Sequence, residues 1–157
     1  MTNAKISIPG IEAALHLSAD GYPEAVLPIL AAAVKDANSK ICNIDGWPKS
    51  PDNHRKMALI IQFFMNHSDK QHQYMLSSMP SQHLKGAFRF ILHGVTDSSD
   101  NDHEFTYKIQ DDGSVIIRRK TMPKELFESF TEFFYEDGSS QGLIPARTHL
   151  RKNGYRY

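Results

Sequence analysis

Asp20, Tyr22, His103 and Tyr107 are the residues of this chain whose types could do acid–base chemistry together. A carboxylate, an imidazole that titrates near neutrality and two phenols are enough for general acid–base catalysis. They would converge if the strand carrying Phe105 and Tyr107 pairs beside the first strand. The same residues have a plainer reading, in which Tyr22 packs under a turn, Asp20 caps backbone amides and His103 faces solvent. Eight histidines also raise the question of a metal. His67 and His72, however, are spaced so that one helical face does not carry both, and no cysteine or HExxH pattern supports them. They read as surface or hydrogen-bonded side chains. Asp97, Asp100, Asp102, His103 and Glu104 offer the oxygen ligands a hard cation takes, but EF-hand spacing and a central glycine are missing, so this stretch reads as a solvated loop between strands. Cys42 has no histidine partner suggested by spacing and reads as a small packed thiol. No pattern calls for a cofactor.

The strongest shift in composition comes late. Residues 139–157 contain no acid, and Arg147, His149, Arg151, Lys152 and Arg156 are interleaved with Tyr155 and Tyr157. Arginines mixed with tyrosines can follow a phosphate backbone and stack on bases. They can equally serve a segment that docks on its own domain or on a neighbouring chain, with Leu143, Ile144 and Leu150 as anchors. Burying each of those side chains would contribute about 1.5–3 kcal/mol. The candidate binding residues are therefore Asp20, Tyr22, His103, Tyr107, Arg147 and Arg151, with no catalytic or metal-binding residue assigned.

The elements that must position them follow from periodicity and punctuation. Lys5–Ile8 alternates and meets the turn Pro9-Gly10, and a second alternating run, Ala14–Ser18, either pairs with it as a hairpin or continues from it. Asp20-Gly21 is a turn pair, Pro23 is preset for the first helical position, and Glu24 suits the positive end of a helix dipole. The helix then shows Val26, Ile29, Leu30, Ala33 and Val34 on one stripe and ends near Asn38-Ser39. Pro28 implies either a start near that residue or a kinked first turn. Residues 39–50 connect, with Trp47 as an anchor. Ser50-Pro51-Asp52 opens a second helix that buries Met57, Ile60, Ile61 and Phe64 and points Arg55, Lys56, Gln62 and Asn66 outward. Phe88–His93, His103–Gln110 and Ser114–Thr121 read as a three-stranded antiparallel meander, its last turn at Asp111-Asp112-Gly113. A final helix opens at Thr121-Met122-Pro123, buries Leu126, Phe127, Phe130, Phe133 and Phe134, and stops at Gly138.

At 157 residues, 40% of them hydrophobic, the chain has enough apolar material for one core, and a domain of this size buries roughly 68–70% of its unfolded surface. The expectation is an α+β domain over residues 1–138, with about three helices on one face of a mainly antiparallel sheet, followed by the basic extension 139–157. Zero formal net charge gives no global field toward nucleic acid or an acidic membrane, a single cysteine suits a reducing compartment, and no apolar run approaches the roughly 20 residues that span a bilayer. A cytoplasmic location is expected.

Asp20-Gly21-Tyr22-Pro23-Glu24, followed by Val26-Leu27-Pro28-Ile29-Leu30, resembles a group of uncharacterised bacterial and phage proteins. The group shows a strand ending in Asp-Gly-Tyr-Pro-Glu, a helix, and a later acidic and aromatic segment before a hairpin, which Asp102–Ile109 resembles. Its usual His-Trp pair before the Asp is replaced here by Ser18-Ala19. The resemblance implies a small soluble domain often encoded near mobile elements, and brings no activity with it. With no catalytic spacing in view, the leading expectation is a non-enzymatic module that binds a protein or itself. A small hydrolase or nuclease using Asp20, Tyr22 and His103, and nucleic-acid binding through the basic tail, are the alternatives.

Overall fold

The alternation at the start of the chain does make strands, and Pro9-Gly10 does turn them back. The computed structural model describes residues 2–11, 13–17, 20–42, 53–67, 74–76, 105–134 and 143–157. Strand β1 (Ala4–Ser7) pairs antiparallel with β2 (Ala14–Leu17). Between them Ile11 donates to the Ile8 carbonyl at 3.1 Å, with proline and a left-handed glycine in the two central turn positions. The sheet has the order β3-β2-β1-β4-β5-β6, where β3 is Tyr74–Leu76, β4 Phe105–Ile109, β5 Val115–Ile117 and β6 Lys120–Met122. Every pairing is antiparallel except β1 with β4, which run parallel with Ala4 opposite Phe105 and Ile6 opposite Tyr107. The fold is α+β with a mostly antiparallel, mixed sheet.

Helix α1 (Pro23–Cys42) is the hub, packing against α2 (Asn53–Asn66), α3 (Lys124–Ser129), the 3-10 turn Phe130–Phe133 and α4 (Leu143–Lys152). It starts at Pro23 and continues through Pro28, whose missing N–H leaves the Glu24 carbonyl without its helical donor. It also outruns its expected stop at Asn38-Ser39, because Ile41 extends the buried row of Val34 and Ala37 by a further turn. Met57, Ile60, Ile61 and Phe64 of α2 join the core as their spacing predicts, with Ile6, Leu15, Phe105, Tyr107, Ile109 and Val115 on the sheet side. No described helix is long and apolar enough to cross a membrane.

Three expectations in the later half are corrected. The return strand expected over Ser114–Thr121 is two strands, β5 and β6, joined by Arg118-Arg119 at φ 54° and 96°. Both central residues of this two-residue turn are left-handed, the geometry that matches strand twist but favours Asn-Gly, so two arginines hold it at a cost of about 1–3 kcal/mol each. Thr121 and Met122 therefore belong to a strand, and α3 begins only at Lys124. That helix does not reach Gly138: it tightens into the 3-10 turn and leaves helical geometry at Phe134 (φ −79°, ψ 136°). The hairpin turn itself is as expected. Gly113 donates to the Gln110 carbonyl at 3.1 Å, and the Ser114 hydroxyl and amide both donate to Asp112, holding its carboxyl below the usual range. Trp47, Ser50-Pro51-Asp52, Phe88–His93 and Gly138 lie outside the described residues.

Lys56, expected to face water, is only 6% exposed. It sits where Asn53 at the start of α2 donates to Asp111 of the β4–β5 turn at 3.1 Å. Burial lowers its pKa, Asp111 opposes that shift and Lys124 adds to it. Among the described residues Lys56 forms no ion pair. Between the lowered pKa of the folded state and the ordinary lysine range the folded protein therefore holds fewer protons at this site than the unfolded chain, and stability rises with pH through that window. Lys56→Met keeps the buried stem and removes the ammonium. It is expected to raise stability at neutral pH by on the order of 1 kcal/mol, with the gain shrinking as pH climbs into the alkaline range. Thermal unfolding of both proteins across pH checks this, and a gain independent of pH refutes it.

Candidate functional site

The turn from β2 into α1 is built residue by residue from Asp20-Gly21-Tyr22-Pro23-Glu24. Asp20 takes the left-handed conformation (φ 54°), which aspartate tolerates better than most residues. Gly21 is clamped: its N–H donates to the Thr2 carbonyl at 3.0 Å, and its own carbonyl accepts a 2.6 Å bond from the buried Tyr107 hydroxyl. A methyl group at Gly21 would lie 2.7 Å from the Asn3 backbone carbonyl and 2.8 Å from Ala4 Cβ. Tyr22 closes the first helical bonds with its carbonyl, accepting from Ala25 and Val26, and as a residue is 46% exposed. It is not buried under the turn, because Gly21 and Tyr107 already fill that space. Glu24 accepts from Arg147 of α4 through Nη2 at 2.7 Å and Nε at 3.1 Å.

The basic segment expected as a docked tail is the helix α4 and an extended end. Ala146 and Leu150 are its buried row, with Leu143 partly covered, while Ile144 is 78% exposed. Ile144 is therefore not an anchor: one residue on from Leu143, it is turned about 100° away from the row that meets the core. His149 holds the helix to α3 through a 2.7 Å hydrogen bond with Ser129, an edge contact to Phe130 and a tilted ring contact to Phe133. The helix ends in a Schellman motif, with Tyr155 N–H on the Leu150 carbonyl (3.0 Å) and Gly154 N–H on that of Arg151 (3.1 Å). Gly154 occupies the left-handed position (φ 81°) that the motif requires. Tyr155 is thereby laid on β6, its hydroxyl donating to the Thr121 carbonyl at 3.1 Å and its ring 4.2 Å beneath the Lys120 ammonium, which itself donates to the Gly154 carbonyl.

Between the first turn of α1 and this segment lies a cleft of about 540 Å³. Leu150 and Tyr155 contribute apolar area, and Tyr22, Glu24, Arg147, Arg151, Arg156 and Tyr157 supply rings and charges. Glu24 is matched by Arg147, whereas Arg151 and Arg156 make no ion pair among the described residues, leaving the cleft with a positive surplus. Tyr157 stands edge-on to Phe105 with centroids 6.2 Å apart, and Tyr22 approaches the same ring at 6.1 Å. The guanidinium of Arg118 lies 4.0 Å over that ring. Burial, reinforced by Tyr155 and opposed by Arg118, pushes the Tyr157 phenol up to about 12.

Of the candidates read from sequence, Tyr22, Arg147 and Arg151 meet in this cleft. Tyr107 lies beneath the neighbouring turn as a buried strut, and Asp20 is exposed at the turn itself. His103, His72 and the acidic run Asp97–Glu104 lie outside the described residues, as does the Cys42 side chain. His67 Nδ1 donates to the Phe63 carbonyl at 3.0 Å, and its ring stacks on the Phe63 ring. Among the described residues no group of histidine, cysteine and carboxylate side chains could hold a metal. Arg156 and Tyr157 belong to the basic, tyrosine-bearing stretch that the composition singles out, whereas Glu24 and Arg118 are not among the candidates read from sequence. Glu24 announces only a helix start, and Arg118 joins the others across a turn that carries no glycine to mark it. Comparison with protein-family models, with curated proteins and with solved structures gives no match.

Proposed function

We propose that this domain is a binding module for a phosphate-bearing polymer, nucleic acid in the first instance, and that the α1–α4 cleft is its binding face. The observation that carries this reading is the pairing of Arg151 and Arg156, which have no carboxylate partner among the described residues, with the exposed residues Tyr22 and Tyr157 in one concavity. Guanidinium groups take phosphate oxygens in forked hydrogen bonds, and aromatic rings beside them offer stacking. Net charge is zero over the whole chain, yet the field that matters to a ligand is that of the surface it meets. The large hydrophobic residues exposed among the described ones are Tyr22, Met65, Ile144 and Tyr157, and two of these are the cleft's own tyrosines.

Fluorescence anisotropy with labelled oligonucleotides across a salt series tests the reading. Affinity is expected to fall with salt, with a log–log slope of about −0.7 for each single-strand phosphate neutralised. Arg151→Ala combined with Arg156→Ala is expected to make that slope shallower by about 1.4 and to leave the melting temperature unchanged, since both side chains are exposed. Absence of salt-sensitive binding by the unaltered protein at low ionic strength sinks the proposal.

A further inference from the structure

Resting on that reading, we infer that the binding face takes single-stranded rather than duplex nucleic acid, with bases on Tyr22 and Tyr157 and the phosphates following Arg151 and Arg156 to the Arg118-Arg119 turn.

Three observations lead there. The first is the arrangement of rings. Phe105 is buried, and Tyr22, Tyr157 and the Arg118 guanidinium all meet it. The two tyrosines are thus set on a fixed base while keeping 46% and 36% of their surface open. Rings mounted in this way lose little freedom when a base stacks on them. In a duplex the base faces are already covered by their neighbours, so only an unpaired strand can use such rings. The second is concavity, since a cleft of about 540 Å³ is in the size range of a small-ligand site and suits a nucleotide unit.

The third is the strained turn. Arg118 and Arg119 hold φ values of 54° and 96° where asparagine and glycine would be at ease. Strain of this kind persists where something outweighs it, and it clusters at binding sites. The turn is contiguous with the cleft: Arg118 lies on Phe105, the ring that also meets Tyr157, and Lys120 lies over Tyr155. Arginine in both turn positions places further cations beside the concavity, next to the Phe105 ring that Tyr157 meets.

The test uses the full chain and four probes of matched length: a labelled oligo-dT, the same strand with abasic residues, the corresponding duplex and inorganic polyphosphate. Oligo-dT is expected to bind most tightly, and each lost stack should weaken binding roughly five- to 150-fold. Tyr22→Ala should weaken oligo-dT binding and leave the abasic strand unaffected, while Tyr22→Phe should bind both as the unaltered protein does. Arg118→Asn with Arg119→Gly should raise the melting temperature, because it relieves the turn, and should weaken every strand. An abasic strand or a duplex that binds as well as oligo-dT overturns the single-strand inference and leaves the phosphate-binding reading standing. Failure of all four probes to bind removes that reading as well. A relieved turn that melts higher but binds oligo-dT unchanged overturns the assignment of Arg118 and Arg119 to the face.

Discussion

Gly21→Ala is expected to cost about 3 kcal/mol, near the upper end for overpacking a closed site. The added methyl group meets backbone, not the yielding end of a side chain: the Asn3 carbonyl lies 2.7 Å away and Ala4 Cβ 2.8 Å. The chain cannot step back, because the Gly21 N–H is bonded to Thr2 and its carbonyl to the Tyr107 hydroxyl. Relief would require moving β1, which is paired on both sides. For a protein of this length the loss corresponds to a melting temperature lower by roughly 6–12 °C. Calorimetry measures it, and a variant that melts within a degree or so of the parent would show that the turn has slack.

Deleting residues 143–157 is expected to be costlier still, about 5 kcal/mol or roughly 10–20 °C. The deletion removes Ala146, Leu150 and Tyr155 from the core and strips the Phe130–Phe133 turn of its His149 cover. Arg147, Arg151 and Arg156 go with it, so binding is lost with stability and the truncation alone cannot say which role the segment serves. The Arg151 and Arg156 double variant separates them, since it leaves the buried row intact. A truncated chain that melts like the parent would mean that α4 merely rests on α1.

What the sequence reveals and what it hides divide along a physical line. Wherever one residue type has one conformational preference, sequence and structure agree: Pro23 at a helix start, Leu15 and Leu17 inward on a strand, Phe105, Tyr107 and Ile109 on one face, and Asp111-Asp112-Gly113 in a hairpin. They part where tertiary context overrides preference. Arg118-Arg119 shows no turn chemistry, so a broken strand looks continuous in sequence. Lys56 is charged, and only the closure of α2 over the β4–β5 turn hides it. Composition marks the basic segment as distinct and leaves docking and phosphate tracking both open, but does not mark it as a helix, and Ile144 passes for an anchor only when its apolar character is read without its helical angle. The site is legible in part: Tyr22, Arg147 and Arg151 are marked by type, and Arg156 and Tyr157 by the basic, tyrosine-bearing composition of residues 139–157, while Glu24 and Arg118 reach the same place through pairings that no local pattern records.

The parallel pairing of β1 with β4 has a kinetic side. Ala4 and Phe105 are neighbours in the sheet although most of the chain separates them, and closing so long a loop must precede any reward from the contacts it makes. During synthesis the β1–β2 hairpin emerges first and waits for its central neighbour. Until residues 105–109 arrive, the edge of β1 that will become the middle of the sheet stands open to strands of other chains. The clamp of Gly21 against Thr2 belongs to that early hairpin region, whereas the Tyr107 hydroxyl that completes it can be added only when β4 docks. The nascent protein therefore carries an open strand edge at the very place where the finished fold pairs β1 on both sides and clamps Gly21.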